Sequence, residues 1–230
     1  MMKTIGVLGG LGPQATMDFE SRVHAVAQRL IPGNGNQGYP PMAVYFHRRP
    51  PVLVNDDGSP IRPLQIDPRL LDAARRLGSW ADFLVITSNG VHHLQAEIEA
   101  AAERPVLSMV DLTVREVCRR GWRSVGVLTF IEPSIYQVPL EQHDFRCEVI
   151  GEDLQAPINA AIAAFSAGRS GPAESSAVSA AVAMLRGRSV DGIILGCTEL
   201  PLLLGEAAEA PDLIDPIRLL AEAAVRHAMA

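Results

Sequence analysis

Residues 190–200 read Val190-Asp191-Gly192-Ile193-Ile194-Leu195-Gly196-Cys197-Thr198-Glu199-Leu200. The apolar run in the middle is typical of a strand buried on both faces, as in a parallel sheet covered by helices. The run ends before Cys197, so this thiol is expected just beyond the carboxyl end of a strand. Ligands of open parallel α/β sheets bind at that edge, where backbone N–H groups are exposed. Cys197 is therefore the first candidate functional residue.

An earlier stretch matches residues 190–198 position by position, and it reads Ala81-Asp82-Phe83-Leu84-Val85-Ile86-Thr87-Ser88-Asn89. In this register Asp82 pairs with Asp191, and Ser88 pairs with Cys197. A match of nine positions suggests that one structural unit occurs twice in the chain. Ser88 then occupies the position in the first unit that Cys197 holds in the second.

Two further parallels come in the same order along the chain. Residues 4–9 resemble residues 124–129, and residues 105–107 resemble residues 211–213. Three parallels in one order predict two similar α/β halves rather than a single irregular domain. The predicted fold class is α/β, with two pseudo-symmetric parallel-sheet domains and the active site in the cleft between them.

The parallels also suggest domain boundaries. The N-terminal domain is expected to span residues 1–110 and to be joined by the C-terminal segment 212–230, while residues 111–211 form the second domain. At 230 residues the chain is long enough to bury a core in each half without disulfides or a structural metal.

Composition narrows the class of partner. A net charge of −6 and a pI near 5.5 argue against a nucleic-acid or membrane-surface binder, so a small-molecule substrate is expected. No apolar run approaches the length of a membrane span, and residues 1–5 enter a strand pattern too early for a secretory signal. Three scattered cysteines (Cys118, Cys147 and Cys197) form neither a disulfide framework nor a metal motif, which favours a cytoplasmic location.

The first predicted strand leads into a glycine-rich loop, Gly9-Gly10-Leu11-Gly12-Pro13-Gln14-Ala15-Thr16, and then into a helix. Such a loop suits close approach of an anion or a carboxylate, which makes Gly10 a candidate binding residue. It is a poor dinucleotide fingerprint, because Pro13 follows Gly12 and the glycine spacing is wrong.

Equivalent strand ends that face one substrate from opposite sides suit stereochemical inversion. A carbon acid between two bases loses a proton on one face and regains one on the other, with oriented donors stabilising the enolate-like intermediate. Cysteine fits this role because helix N-termini and local donors can lower its pKa from about 8.5 towards neutrality.

Three segments resemble the signature sites of the aspartate/glutamate racemase superfamily, of the cofactor-independent aspartate-racemase type. They are the glycine-rich loop, Asn89 with His92, and Gly196-Cys197-Thr198-Glu199. The resemblance spans nearly the whole chain. It implies a pseudo-symmetric two-domain fold, a cleft between the domains, proton transfer at Cα without pyridoxal phosphate or another cofactor, and a homodimer.

The sequence departs from the family pattern at the first catalytic motif. The family usually has Cys-Asn-Thr-Ala-His, whereas this chain has Ser88-Asn89-Gly90-Val91-His92. A hydroxyl thus replaces one thiol, and glycine replaces a threonine that binds a carboxylate. The family's arginine for a distal carboxylate has no clear counterpart, and its candidates here are Arg48, Arg49 and Arg62.

The replacement predicts an asymmetric site, because a serine hydroxyl is far too weak an acid to ionise without an activating base. Cys197 is expected to be the main base and acid, with Ser88 as a proton donor or hydrogen-bonding group opposite it. The expected substrate-binding residues are Gly10, Asn89, Gly90, Thr198, Glu199, His92 and Arg48. Capping of the following helices is the alternative role for Ser88, Asn89, Thr198 and Glu199.

Three functions fit this pattern. The first is a racemase or epimerase acting at the α-carbon of an amino acid, of the aspartate or glutamate kind. The second is a decarboxylase or cis-trans isomerase that uses one thiol on a related dicarboxylate. The third is a racemase-like binding protein that lost catalysis with the cysteine at position 88.

Overall fold

The computed structural model describes residues 1–31, 33, 35–130 and 133–230. The chain forms two compact units. Residues Met1–Met109 and Leu220–Ala230 form the first, and residues Val110–Leu219 form the second. Among the described residues, no helix combines the length and the apolar character that crossing a bilayer requires.

The first unit is built on a four-stranded parallel sheet in the order β2-β1-β3-β4. Its strands are β1 (Ile5–Gly9), β2 (Met42–Phe46), β3 (Phe83–Ile86) and β4 (Val106–Leu107). Its helices are α1 (Pro13–Leu30), α2 (Pro68–Trp80) and α3 (Gln95–Ala102), with the larger part of α9 (Pro216–Met229). A short 3-10 helix, Gly90–Leu94, leads into α3.

The second unit repeats this plan in the order β6-β5-β7-β8, again with all strands parallel. Its strands are β5 (Ser124–Leu128), β6 (Arg146–Val149), β7 (Gly192–Leu195) and β8 (Leu213–Ile214). Its helices are most of α4 (Met109–Arg120), with α5 (Ser134–Glu141), α6 (Glu152–Ser166), α7 (Pro172–Gly187) and α8 (Glu199–Leu204). The prediction of two pseudo-symmetric α/β halves is confirmed.

The registers of the two sheets match residue by residue. Leu8 pairs with Ile86 at the end of β1, and Leu128 pairs with Leu195 at the end of β5. Beyond these pairs the backbone continues in the same way, so Ser88 and Cys197 each lie two residues past the end of an equivalent strand. The alignment made from sequence is therefore also a structural alignment.

The aspartates that precede β3 and β7 anchor the neighbouring strand in each unit. Asp82 Oδ2 accepts a hydrogen bond of 2.7 Å from Thr4 N. Asp191 Oδ2 accepts two, of 2.6 Å from Arg123 N and 2.9 Å from Ser124 N. Both carboxylates thus bind backbone N–H groups at the start of the adjacent central strand, which explains why aspartate occurs at both positions of the repeat.

The central strands are buried along their whole length, as their continuous apolar runs predict. The edge strands β2 and β6 are only partly buried. Each unit has its own apolar cores, with Leu8, Leu84 and Ile98 among the buried residues of the first and Leu128 and Ile193 among those of the second. Each sheet is therefore fixed by its own packing.

The end of the chain differs from the boundary expected from sequence. Residues 212–230 were assigned to the first domain, but β8 pairs with β7 in the second sheet, and residues up to Leu219 belong to that unit. From Leu220 onwards the chain belongs to the first unit, where Lys3 N donates to Ala228 O at 2.8 Å. The parallel between residues 105–107 and residues 211–213 makes β8 the counterpart of β4, so the repeat itself places this strand in the second half.

Candidate active site

Cys197 lies directly after β7, at the carboxyl edge of the second sheet. Gly196 N–H donates to Leu128 O at 2.6 Å, which holds the chain against β5 one residue before the thiol. A Cβ at position 196 would lie 2.8 Å from Thr129 Cγ2 and 3.0 Å from Tyr136 Cδ2, so glycine is required by packing. The strand end thereby fixes the position of Cys197.

The thiol of Cys197 is hydrogen-bonded to a carboxylate two residues further on. Cys197 Sγ donates to Glu199 Oε2 at 3.0 Å, and Thr198 Oγ1 donates to the same oxygen at 3.1 Å. All three residues are at most 9% exposed. The Gly-Cys-Thr-Glu segment therefore forms a buried thiol–carboxylate pair, with the threonine hydroxyl as a second donor to the carboxylate.

The pKa of Cys197 is raised well above its usual value, contrary to the lowering expected from sequence. Burial is the largest cause, and the negative charge of Glu199 and the hydrogen bond to it add to the effect. The backbone N–H groups of Thr198 and Glu199 act in the opposite direction but are weaker. In this structure the thiol is therefore protonated at neutral pH, and Glu199 is positioned to accept its proton.

A buried tyrosine lies in the same part of the second unit. Tyr136 is fully buried on α5, its hydroxyl hydrogen-bonds to the side chain of Thr113, and burial raises its pKa. The negative charges of Asp215 and of the Cys197 thiolate raise it further. Asp215 itself is 2% exposed, and its Oδ1 accepts a hydrogen bond from Ile217 N at the start of α9. Ionisation of Cys197 would thus place negative charge in a region that already contains carboxylates.

Ser88 is half-buried at the equivalent position of the first unit. Thr87 N–H donates to Leu8 O at 3.2 Å, which repeats the bond between Gly196 and Leu128. His92 Nδ1 lies 2.9 Å from Ser88 O, and His92 Nε2 accepts from Met109 N at 3.1 Å. Because Nε2 is an acceptor, Nδ1 carries the proton and donates to the Ser88 carbonyl. His92 therefore holds the backbone of Ser88 through Nδ1, and its Nε2 is bonded to the backbone of Met109.

The polar residues after Ser88 and Cys197 do not act as helix caps. Within the described chain, the side chains of Asn89 and Thr198 make no capping hydrogen bond to the helical segment that each precedes. Asn89 is 4% exposed, whereas Gly90 is exposed and a Cβ added there would meet no atom within 4 Å. The glycine at position 90 is thus not required by packing.

Hydrogen bonds that involve threonine hydroxyl groups hold the glycine-rich loop against the sheet. Gly10 N–H donates to Thr16 Oγ1 at 2.8 Å, and Thr16 Oγ1 lies 2.8 Å from Thr87 Oγ1. Gly10 has φ +81°, and a Cβ there would lie 2.7 Å from the backbone nitrogen of His47. Both observations explain the glycine by packing, and the amide expected to bind an anion is already bonded to Thr16.

The arginines considered for a distal carboxylate are exposed. Arg48, Arg49 and Arg62 all have exposed side chains, and the guanidinium of Arg48 lies over the ring of Phe46, 4.8 Å from its centroid. Exposed arginines near a loop are common at protein surfaces. Their position gives no preference among the three candidates.

Several residues with buried polar atoms at the carboxyl edges were not predicted as candidate site residues. Buried side-chain atoms without a hydrogen-bond partner among the described residues include Gln14 Oε1, His47 Nε2 and Thr129 Oγ1. His47 and Thr129 directly follow β2 and β5, and Gln14 lies in the first turn of α1, the helix after β1. For His47 and Thr129, a polar residue immediately after an apolar strand was the signal available.

Within the described ranges, no group of three or more His, Cys, Asp or Glu side chains is arranged to hold a metal ion. Cys197 and Glu199 are acid–base groups at the end of β7, and Ser88 and His92 lie at the end of β3. The second unit therefore contains a buried thiol and a carboxylate that can exchange a proton with it.

The family model for Asp/Glu/hydantoin racemases matches residues 8–224, which is nearly the whole chain. The chain belongs to this family. The racemase family is a family of isomerases, and the family prediction made from the three signature segments is confirmed. A curated relative, the broad specificity amino-acid racemase RacX of Bacillus subtilis (strain 168), is 30% identical over 164 residues, covering 70% of this chain and 70% of RacX.

Solved structures of the racemase family show the same fold. The chain matches an aspartate racemase homologue from Pyrococcus horikoshii OT3 with a TM-score of 0.77 and 20% identity, over 100% of both chains. It matches the aspartate racemase of Picrophilus torridus with a TM-score of 0.77 and 20% identity, covering 99% of this chain and 94% of that one. At this identity the similarity establishes the two-unit α/β architecture.

Proposed function

We propose that this racemase-family protein is a cofactor-independent amino-acid racemase or epimerase that moves a proton at the substrate α-carbon through Cys197. The observation that carries the proposal is the buried pair of Cys197 Sγ and Glu199 Oε2, 3.0 Å apart. A thiol beside a carboxylate can both give and receive a proton without pyridoxal phosphate. The substrate is a small molecule, and we further propose a cytoplasmic homodimer.

Cys197 begins the proposed cycle as a thiol. Its proton passes to Glu199 Oε2, which leaves a thiolate and a neutral carboxylic acid. The thiolate takes the α-hydrogen of the substrate, and the electron pair of the broken C–H bond becomes that of an enolate-like carbanion. Return of a proton from the Cys197 thiol to the same face restores the original enantiomer, whereas protonation on the opposite face gives the other enantiomer.

Ser88 is proposed to deliver the proton on the opposite face. Support comes from its position, equivalent to that of Cys197, and from its half-buried side chain, which allows its alkoxide to recover a proton from solvent while Glu199 releases the proton that it took from Cys197. Among the described residues, the hydrogen bond between His92 and Ser88 goes to the Ser88 carbonyl and leaves the hydroxyl without activation from this imidazole. The proposed reaction is therefore asymmetric, with proton exchange at the Cys197 face faster than inversion.

The remaining predicted residues are proposed to bind the substrate. Asn89, Gly90 and Thr198 follow the two equivalent strand ends and are assigned to the α-carboxylate and α-amino groups. Gly10 and His92 are assigned supporting roles, because both hold neighbouring backbone in place. Arg48 stays a candidate for a charged side chain.

The proposal is tested by following L- and D-amino acids in D₂O with the wild-type protein and with Cys197→Ala. The expected result is α-deuterium uptake into at least one amino acid, with retention of configuration faster than inversion, and loss of both in the variant. Exchange that persists in Cys197→Ala contradicts the proposed role of the thiol. Binding of amino acids without any exchange would favour a racemase-like binding protein instead.

A further inference from the structure

Two buried polar atoms lie unpaired at the carboxyl edge of the first sheet. Among the described residues, neither the imidazole Nε2 of His47 nor the side-chain carbonyl oxygen of Gln14 has a hydrogen-bond partner. His47 is 3% exposed and directly follows β2. Gln14 lies in the first turn of α1, which follows β1, the strand paired with β2. The two residues therefore come from neighbouring strand ends within one unit.

Unpaired buried polar atoms are rare, because the hydrogen bonds to water that they lose on burial are not replaced. Two of them at the ligand-binding edge of a sheet require an explanation. Ligand pockets typically contain a few such groups, which fix the orientation of a bound molecule by pairing with it. The partners missing in the free protein are then supplied by the substrate.

The fold alone does not account for an imidazole at position 47. The backbone N–H of His47 donates to Gly9 O at 2.7 Å, and this bond ties the end of β2 to the glycine-rich loop. Any residue except proline makes the same bond through its backbone. An apolar side chain of similar volume would fill the same buried space without leaving a nitrogen unpaired.

We infer that His47 and Gln14 form the side-chain subsite of the proposed racemase, and that it takes amino acids whose side chain ends in a hydrogen-bond donor. Hydroxyl, amide and ammonium groups belong to this class. The carbonyl oxygen of Gln14 can only accept, and an imidazole nitrogen accepts or donates according to its tautomer. A second carboxylate fits this subsite poorly, because the Gln14 oxygen would repel it. This inference rests on the proposed function.

The test compares pairs of amino acids that differ chiefly in the terminal donor. Glutamine is paired with methionine, asparagine with leucine and lysine with norleucine, with aspartate and glutamate as the acidic group. The measured quantity is kcat/KM for α-deuterium uptake in D₂O. The donor-bearing member of at least one pair is expected to react roughly tenfold faster than its apolar partner, the ratio that one net hydrogen bond supplies. Both acids are expected to react more slowly than the best donor.

Two variants locate the subsite, and a third serves as control. His47→Leu and Gln14→Met are expected to bring the donor-to-apolar ratio close to one. His93→Leu, at an exposed histidine, is expected to keep the wild-type ratio. His47→Leu should also unfold at the same or a higher urea concentration than wild type, because it removes an unpaired buried atom. A histidine needed for the fold would give the opposite shift.

The outcomes separate this inference from the function on which it rests. Exchange with no amino acid overturns the proposed function itself. Exchange that is fastest with the acids, or equal for donor and apolar partners, overturns the subsite and leaves the racemase intact. If His47→Leu does not fold, the subsite is tested by the order of kcat/KM among the amino acids with the wild-type protein and by Gln14→Met. An unchanged donor-to-apolar ratio in Gln14→Met contradicts the subsite.

Discussion

The thiol of Cys197 lies 3.0 Å from Glu199 Oε2, and both groups are buried in the second unit. A thiol in this setting is protonated at rest, and in the proposed mechanism it becomes a base after Glu199 accepts its proton. Because the two groups are hydrogen-bonded, the protonation of Cys197 depends on that of Glu199, and the two have to be considered together. Glu199, which the sequence predicts to bind substrate or to cap the following helix, is hydrogen-bonded to the thiol and is proposed to exchange a proton with it.

Alkylation of Cys197 by iodoacetamide is expected to follow its raised pKa. In the unliganded protein the reaction should become fast only above pH 9.0, the unperturbed value from which burial and Glu199 raise the pKa. Glu199→Gln removes the carboxylate charge, so the midpoint should move to lower pH. Mass spectrometry of the peptide, with exposed Cys118 as internal reference, measures this. Glu206→Gln, at an exposed glutamate, is the control, and an unmoved midpoint in Glu199→Gln would refute the pairing.

Ser88→Cys is expected to increase inversion relative to exchange at the α-carbon. A thiol at position 88 can ionise, whereas the hydroxyl cannot without a base, so both faces then carry a competent group. Chiral chromatography combined with deuterium incorporation separates the two rates. Ser88→Ala should lower inversion and leave exchange at the Cys197 face. Equal inversion in Ser88, Ser88→Cys and Ser88→Ala proteins would show that position 88 takes no part.

His92→Phe is expected to lower the free energy of unfolding by about 1–3 kcal/mol, since it leaves both the Ser88 carbonyl and the Met109 N–H without their imidazole partner. Urea denaturation measures the change. His93→Phe, at the exposed neighbour, should change stability by less than about 0.5 kcal/mol. Equal effects of the two substitutions would mean that His92 does not fix the first strand end.

Asp191→Asn is expected to reduce stability at neutral pH but not in acid. Hydrogen bonds from the backbone N–H groups of Arg123 and Ser124 lower the pKa of Asp191 below its usual 3.8. A lowered pKa in the folded state contributes stability above the unfolded-state value, and this contribution disappears as the pH falls through the folded value. The wild-type and variant unfolding curves should therefore converge below pH 3.8. Asp56→Asn, at an exposed aspartate, should show no such pH dependence.

The sequence predicted the fold well because the strands leave a strong signal. Continuous apolar runs mark β1, β3, β5 and β7, and the matching aspartates Asp82 and Asp191 set the register of the repeat. The parallel between residues 105–107 and residues 211–213 marks β8 as the counterpart of β4, but the boundary expected at residue 212 separated β8 from its own sheet.

The sequence predicted which residues lie at the candidate site better than it predicted their electrostatics. Cys197 and Ser88 occupy the expected strand ends, but the direction of the thiol's pKa shift depends on burial and on the exact distance to Glu199. Neither quantity can be read from a motif. His47 was missed for a related reason, because burial of a single histidine after an edge strand has no periodic pattern to reveal it.

The hydrogen bonds that hold the two strand ends involve only backbone atoms: Thr87 N to Leu8 O, and Gly196 N to Leu128 O. The side chain one residue later is not needed for either bond. Substitution at positions 88 and 197 can thus alter the reacting atom while the scaffold that presents it stays the same. A duplicated unit of this kind allows the two equivalent positions to change independently, and here one position holds serine while the other holds cysteine.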